Sequence, residues 1–171
     1  MAKQKKSAST SNQSSGQGKP QLYTLAVFLI GGPITEEFAK ENPEISRTIQ
    51  IRGDQTLEDL HYAIFDAYDR FDSHMYEFQL GKRAMEGPRY VLPEAFEDAA
   101  DGSAAGRVDE TDIESLGLKK DRCFGYWFDP GDDWWHQIEV EAVEPNVPAG
   151  KYPKITKRVG KSPPQYLDTD E

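Results

Sequence analysis

The chain is poor in cysteine, in histidine and in long apolar runs, and each scarcity excludes a class of protein. Cys123 is the single cysteine of 171 residues, so the chain can form neither an internal disulfide nor a cysteine-rich zinc site. The longest apolar run, residues 25–30, is far shorter than the roughly 18 residues of a membrane-spanning helix. These absences predict a protein of the reducing cytoplasm, without a membrane partner.

The charge balance is acidic. The chain has 30 acidic and 20 basic residues and a formal net charge of -10. Such a surface repels phosphate backbones, so nucleic acid is disfavoured as a partner unless a local basic patch binds it, and an unidentified protein is the expected partner. Hydrophobic residues make up 37% of the chain, enough for the core of one domain.

Composition divides the chain into three parts. Residues 1–20 are polar and small, which predicts a disordered N-terminal leader. Residues 21–145 contain the apolar patterns of a single α+β domain, interrupted at 81–112 by a long acidic insert. Residues 146–171 are rich in proline and lysine and predict an extended C-terminal arm.

Apolar periodicity predicts five strands and one main helix. Both faces of 22–30 are apolar, as in a central strand, and alternation marks 45–52, where Arg47 falls among the inward positions. A third strand is expected at 74–80 with His74 facing the core, and a hairpin at 123–128 and 134–143, its Pro-Gly turn of type II.

The main helix is predicted to begin after Thr56, which opens a capping-box pattern, and to end near Asp69. Its buried stripe is expected to run from Leu57 to Phe71. A second, short helix is expected from Thr111 to Gly117. The order predicts a mixed or antiparallel sheet with one helix across a face, β-grasp-like. A ferredoxin-like arrangement is the alternative and requires a full crossover helix near 112.

All three histidines lie on or beside apolar faces of predicted elements, and three aspartates precede the last of them. The candidate polar cluster is His61, His74, Asp129, Asp132, Asp133 and His136. Imidazoles beside carboxylates could bind a divalent metal, zinc or manganese, and activate water. The spacing matches no compact ligand motif, which favours the structural interpretation: buried rings that bond to carboxylates or carbonyls, with no cofactor expected.

Two further surfaces are candidates for binding. Trp127 and Trp135 could form an aromatic surface for bases or peptides, although residues of this kind also build cores. The basic arm consists of Lys151, Lys154, Lys157, Arg158 and Lys161. It could contact phosphate or an acidic partner, and a solvated arm is the simpler interpretation.

Four segments resemble the plasmid pRiA4b ORF-three-like family, some of whose members are labelled TnpR-like passenger proteins of insertion elements. They are Ile45-Ser46-Arg47-Thr48-Ile49, Thr56-Leu57-Glu58-Asp59-Leu60-His61, Ser73-His74-Met75-Tyr76-Glu77-Phe78, and the hairpin from Tyr126 to Glu141. The chain departs from the family pattern at Ser46, at Arg70-Phe71, and at Ser162-Pro163-Pro164, where the family often has Cys-Pro-Pro.

The resemblance implies fold and site positions more than activity. The leading functional hypothesis is a non-enzymatic interaction or adaptor protein associated with mobile elements, whose contact surfaces are the acidic insert and the basic arm. The alternative is a metal-dependent hydrolase or nuclease-like enzyme that uses the histidines with Asp132 or Asp133. The departure at Ser162 argues against a cysteine-assisted metal site in this chain.

Overall fold

A computed structural model describes residues 18–99 and 101–168; the predicted leader lies outside them as far as residue 17. The strands are β1 Leu22–Gly31, β2 Ser46–Arg52, β3 Tyr76–Gln79, β4 Arg89–Val91, β5 Gly106–Arg107, β6 Cys123–Phe128, β7 Trp134–Glu144 and β8 Lys154–Val159. The helices are α1 Glu36–Glu41, α2 Leu57–Ala67 and α3 Pro93–Asp98, with a 3₁₀ turn at Glu114–Leu116. None of these helices is long and apolar enough to cross a bilayer.

The eight strands form one sheet in the order β5-β4-β3-β6-β7-β1-β2-β8. Neighbouring strands are antiparallel except β4 and β5, which are parallel. The predicted mixed α+β architecture is thus confirmed, and β1 is an interior strand as its two apolar faces predicted. Leu25 pairs with Ile49 on one side and with Val140 on the other, and all three side chains are buried.

Helix α2 packs across one face of the sheet. Its first turn is fixed by the predicted capping box: the Thr56 hydroxyl accepts from the Asp59 amide, and the Asp59 carboxylate accepts from the Thr56 amide. Leu57, Leu60 and Ile64 are fully buried against the strands. Within residues 18–99 and 101–168 no other helix is as long as α2, and the face of the sheet opposite α2 is called the outer face below.

Several local predictions were wrong near the ends of elements. Helix α2 ends at Ala67, and Asp69 reverses the chain with φ 56°, so the helical spacing does not extend to Phe71. Phe71 is 73% exposed, and Arg70 is buried instead. Strand β3 begins at Tyr76, which leaves His74 in the preceding loop with its side chain about one third exposed.

The two predicted turn motifs also differ in detail. Gly131 does not have the positive φ that a type II Pro-Gly turn requires, and positive φ occurs at Asp129 and Asp133 instead. The predicted short helix is only the 3₁₀ turn, and Thr111 does not cap it, because its hydroxyl donates to the Arg107 carbonyl.

Both segments set apart by composition contribute to the sheet. The acidic insert supplies β4, α3 and β5, and the C-terminal arm supplies β8, which pairs with β2 along Lys154–Val159. The boundary placed at residue 145 falls in the connection between β7 and β8, two strands of this one sheet. The many lysines of this segment did not reveal β8. Lysines are common on edge strands, where their charge opposes aggregation, so a lysine-rich composition is compatible with a strand.

Arg47 joins β2, α2 and β8. The residue is 2% exposed, its Nε donates to the Ala67 carbonyl at 2.8 Å, and its Nη1 donates to the carbonyls of Ser46 and Val159. Nη2 donates to the Ser162 hydroxyl at 2.9 Å. One buried guanidinium thus satisfies carbonyls from three segments distant in sequence.

Replacement of Arg47 by methionine should destabilise the fold, because it removes the guanidinium that donates to the carbonyls of Ser46 and Val159 and leaves the Ala67 carbonyl with Arg158 alone. We expect the free energy of unfolding, measured in urea, to fall by about 2 to 4 kcal/mol. Arg52→Met is the matched control, since Arg52 pairs with Asp54 at the surface, and it should cost under about 1 kcal/mol. Equal losses in the two variants would contradict this role of Arg47.

Candidate functional site

His136 lies at the centre of the core and is fully buried. Its Nε2 is 2.9 Å from Arg70 Nη2 and its Nδ1 is 3.2 Å from the Tyr126 carbonyl oxygen. Because Nδ1 faces an acceptor and Nε2 faces a guanidinium donor, the ring is neutral and carries its proton on Nδ1. Burial, and then the charge of Arg70, holds the pKa of His136 well below its ordinary value.

Arg70 occupies an aromatic cage instead of an ion pair. Its guanidinium carbon lies 5.0, 4.8 and 5.3 Å from the ring centroids of Tyr68, Phe128 and Trp134. Arg70 Nη1 and Trp134 Nε1 are buried and have no hydrogen-bond acceptor among residues 18–99 and 101–168. Burial lowers the pKa of Arg70, although the nearby phenols and Asp129 oppose the shift.

His61 has a separate environment on α2. Its Nδ1 is 2.6 Å from the Tyr126 hydroxyl, and its ring stacks on Tyr76 with centroids 3.5 Å apart. Burial lowers the pKa of His61 to about 3, with a further contribution from Arg70, so the ring is neutral at pH 7. Burial also raises the pKa of Tyr126, whose hydroxyl keeps its proton. His61 and His136 therefore contact the same tyrosine through different atoms.

His74 belongs to a cluster at the surface. Its Nε2 is 2.7 Å from the Tyr166 hydroxyl, 3.4 Å from Asp129 Oδ2 and 3.7 Å from Asp72 Oδ2. Tyr166 donates to Asp72 at 2.6 Å, so its oxygen accepts from the His74 N–H. The bond to Asp72 is the largest of the effects that raise the pKa of Tyr166 to about 12.

The three aspartates of the hairpin turn make different contacts, and for Asp132 the contact is a backbone bond from its amide to the Asp129 carbonyl. Asp129 is buried and its Oδ1 accepts from the Gly131 amide, which shapes the turn. Asp133 accepts from the Trp127 indole at 2.9 Å. The structure thus brings His74 to Asp129 and places His61 and His136 elsewhere. Within the described part of the chain, no three His, Cys, Asp or Glu side chains are arranged to hold a metal ion.

Sequence reasoning missed Arg70, Tyr126, Asp72 and Tyr166. Tyr126 lies among apolar residues of a predicted strand. Its bonds to His61 and His136 become apparent only in the structure. Asp72 and Tyr166 are far apart in sequence and meet because the C-terminal segment returns to the α2–β3 loop. The one available signal for Arg70 was its departure from the family pattern.

The tryptophans form a cross-strand pair on the outer face. Trp127 of β6 pairs directly with Trp135 of β7, and the two ring systems stack with centroids 5.1 Å apart and planes 8° apart. Both residues are partly exposed. Pairing through β3 and β4 continues the row to Glu77 and Val91. This set, Val91, Glu77, Trp127 and Trp135, is called the outer row.

The basic arm borders the far edge of the sheet. All five of its cations are exposed, and three of them, Lys154, Lys157 and Arg158, lie on β8. Arg158 is 3.6 Å from Asp69 and also donates to the Ala67 carbonyl, so this one cation stabilises the end of α2. Beyond its cations, the C-terminal segment reaches the surroundings of His74, where Gln165 and Tyr166 both bond to Asp72.

The neutral buried histidines predict a loss of stability in mild acid. The pKa of His61 is lower in the folded than in the unfolded chain, where it is near 6.5, so between these values the unfolded chain binds more protons. The contribution of neutral His61 to the free energy of unfolding is complete above pH 6.5 and is lost as the pH falls below that value. Between pH 7 and pH 5 His61 alone should reduce the free energy of unfolding by about 2 kcal/mol.

Urea unfolding of the wild type and of His61→Gln at the two pH values measures this contribution. The variant should show a decrease smaller by about 2 kcal/mol, and the remaining slope has the sign expected for His136. A wild-type stability that is the same at pH 7 and pH 5 would show that these imidazoles are not buried in neutral form.

Comparison with known proteins gives a family and two relatives. Residues 34–168 match the family model described as Plasmid pRiA4b ORF-3-like protein. An uncharacterised protein, y4hQ of Sinorhizobium fredii (strain NBRC 101917 / NGR234), is 28% identical over 126 residues, which are 72% of this chain and 59% of the relative. This chain therefore spans little more than half the length of that relative.

A crystal structure shows the same fold. The protein of unknown function MM3350 from Methanosarcina mazei Go1 superposes with a TM-score of 0.63 at 24% identity, over 82% of this chain and 70% of that one. At this identity the likeness concerns the fold alone.

Proposed function

The chain belongs to the plasmid pRiA4b ORF-3-like protein family, and from that premise we propose that it is a non-enzymatic interaction domain, an adaptor that binds a protein partner. The observation that supports the proposal is the stacked pair Trp127 and Trp135 on the outer face. Two tryptophans beside each other and in contact with solvent are unusual unless they bind something, because burial of such rings is strongly favourable.

The charges around the pair favour a basic partner segment. Asp133 is bonded to the Trp127 indole, and Glu139 follows Trp135 on the same side of β7. Lysine or arginine can bind to the face of a tryptophan and to a neighbouring carboxylate at the same time. The net charge of -10 adds long-range attraction for such a segment.

An adaptor needs a second contact, and the basic arm supplies a surface of opposite sign. β8 is the last strand of the sheet, whereas the acidic insert forms β4, α3 and β5 at the other end. In this proposal one end of the molecule contacts a basic partner and the other an acidic one. The family's description, which refers to a plasmid, supports an association with mobile elements.

The proposal also covers the cellular compartment of the protein and the type of fold on which it is built. A cytoplasmic setting is supported by the single cysteine, which is free. We treat β1, β2, α2 and β3 as a β-grasp-like scaffold, supported by the order strand, strand, helix, strand and by the position of α2 across one face.

Trp135→Ala should abolish most of the binding of a short lysine-rich peptide, measured by isothermal titration calorimetry on the full chain. Loss of an aromatic hot-spot residue costs about 2 kcal/mol, so the affinity should fall about thirtyfold. Phe71→Ala is the matched control, because it removes an exposed aromatic outside the outer row and should leave the affinity unchanged. A glutamate-rich peptide of the same length should bind equally to the wild type and to Trp135→Ala, because its proposed contact is the basic arm.

If the wild type does not bind the lysine peptide, or if Trp135→Ala binds it as tightly as the wild type, the outer row is not a recognition surface. Thermal unfolding of the variants distinguishes a lost contact from a lost fold.

The enzymatic alternative has one contact in its favour, the 3.4 Å approach of His74 Nε2 to Asp129 Oδ2. Metal analysis of protein purified without a histidine tag tests it. We expect less than stoichiometric zinc and manganese. A stoichiometric metal that is lost in His74→Ala would favour a metal-dependent hydrolase or nuclease-like enzyme over the adaptor.

A further inference from the structure

A small cavity adjoins the tryptophan pair. Its volume is about 250 Å³, and it lies between the loop before β3, the outer row and α3. The walls that bear on its chemistry are Met75, Val91, Ala95, Trp127 and Pro130. Small-molecule sites commonly begin at about 300 Å³, so the cavity has the size for one side chain of a bound peptide.

The charges at the base of the cavity are already compensated. Glu77 is 7% exposed, and Arg89 Nε donates to its Oε2 at 2.9 Å. The Gln79 amide donates to the same oxygen. Because this carboxylate has its partners, it does not demand a cation from a ligand, and the remaining walls are apolar. The cavity therefore suits an apolar side chain.

Two of the residues that line the cavity have carboxylates as neighbours. Ala95 lies on α3 between Glu94 and Glu97, both exposed, and Asp133 accepts a hydrogen bond from the Trp127 indole. A ligand that places an apolar group against Ala95 and Trp127 therefore has acidic side chains close to its flanking residues. The complementary ligand is an apolar residue flanked by lysine or arginine.

Trp127 sets the distance between the apolar side chain in the cavity and the lysine or arginine at the tryptophan pair. It lines the cavity together with Glu77 and is also one half of the stacked pair. Glu77, Trp127 and Trp135 are directly paired on three neighbouring strands, about 4.8 Å apart, so the middle of the tryptophan pair lies roughly 7 Å from Glu77. In an extended peptide, side chains two residues apart point the same way at roughly 6.6 Å. An anchor in the cavity and a cation over the tryptophan pair would therefore be residues i and i+2.

From this geometry we propose that the cavity receives one apolar side chain of an extended basic segment, in the pattern apolar, any residue, lysine or arginine. The inference rests on the proposed adaptor function and names the sequence that its partner presents. Val91 and Trp127 bind the anchor, and Trp135 with Asp133 binds the cation two residues away.

The test compares two lysine-rich peptides that differ at one position, leucine or glycine, two residues before a central lysine. Calorimetry with the full-length wild type should show about tenfold tighter binding of the leucine peptide, the low end of what burial of a leucine side chain supplies. Ala95→Phe fills the cavity and should bring the ratio of the two affinities close to one, while the glycine peptide binds as before.

Met75→Ala provides a second variant that removes a wall from an exposed position, in case Ala95→Phe does not fold. It should also reduce the preference for leucine. Equal affinities of the two peptides for the wild type would overturn the cavity inference and leave the adaptor proposal intact. Binding of neither peptide to the wild type would overturn both.

Discussion

The interior depends on Tyr126, the residue through which the polar groups of the core are connected. Its carbonyl accepts from His136 and its hydroxyl contacts His61, so one residue of β6 bonds to β7 and to α2. His136 in turn accepts from Arg70, whose guanidinium is held among aromatic rings. A buried polar group without a partner costs about 1 to 3 kcal/mol, so these contacts fix the position of α2 on the sheet more specifically than apolar packing alone.

A second set of contacts ties the C-terminal segment to the same end of the sheet. The Ser162 hydroxyl accepts from Arg47 and donates to Asp69, and the Gln165 side chain accepts from the amides of Phe71 and Asp72. Tyr166 completes the set through Asp72. Ser162, which stands where the family pattern often has cysteine, is therefore a hydrogen-bonding residue here.

The sequence predicted what depends on local pattern and failed where contacts are distant. The capping box at Thr56 and the alternation of β7 are local, and both are as predicted. The exposure of Phe71 and the burial of Arg70 depend on a chain reversal at Asp69, for which periodicity gives no signal. The pairing of β8 with β2, across more than a hundred residues, was invisible for the same reason, since neither strand specifies its neighbour.

Of the three histidines singled out in the polar cluster, His74 approaches an aspartate of that cluster, Asp129, whereas His61 and His136 bond to Tyr126. The inward orientation expected from residue parity was right for His61 and His136, yet parity does not say which partner each ring finds.

The chemistry of the buried histidines makes a case for recognition over catalysis. A general acid or base works best with a pKa near the working pH and with access to its substrate. His61 has a pKa of about 3 and His136 one far below its ordinary value, and both rings are enclosed. Trp127 and Trp135 of the outer row are partly exposed, in contrast to these rings. Its tryptophans are fixed by strand pairing before any partner arrives, so binding costs little side-chain entropy, and rigid aromatic rings of this kind supply affinity to an interface.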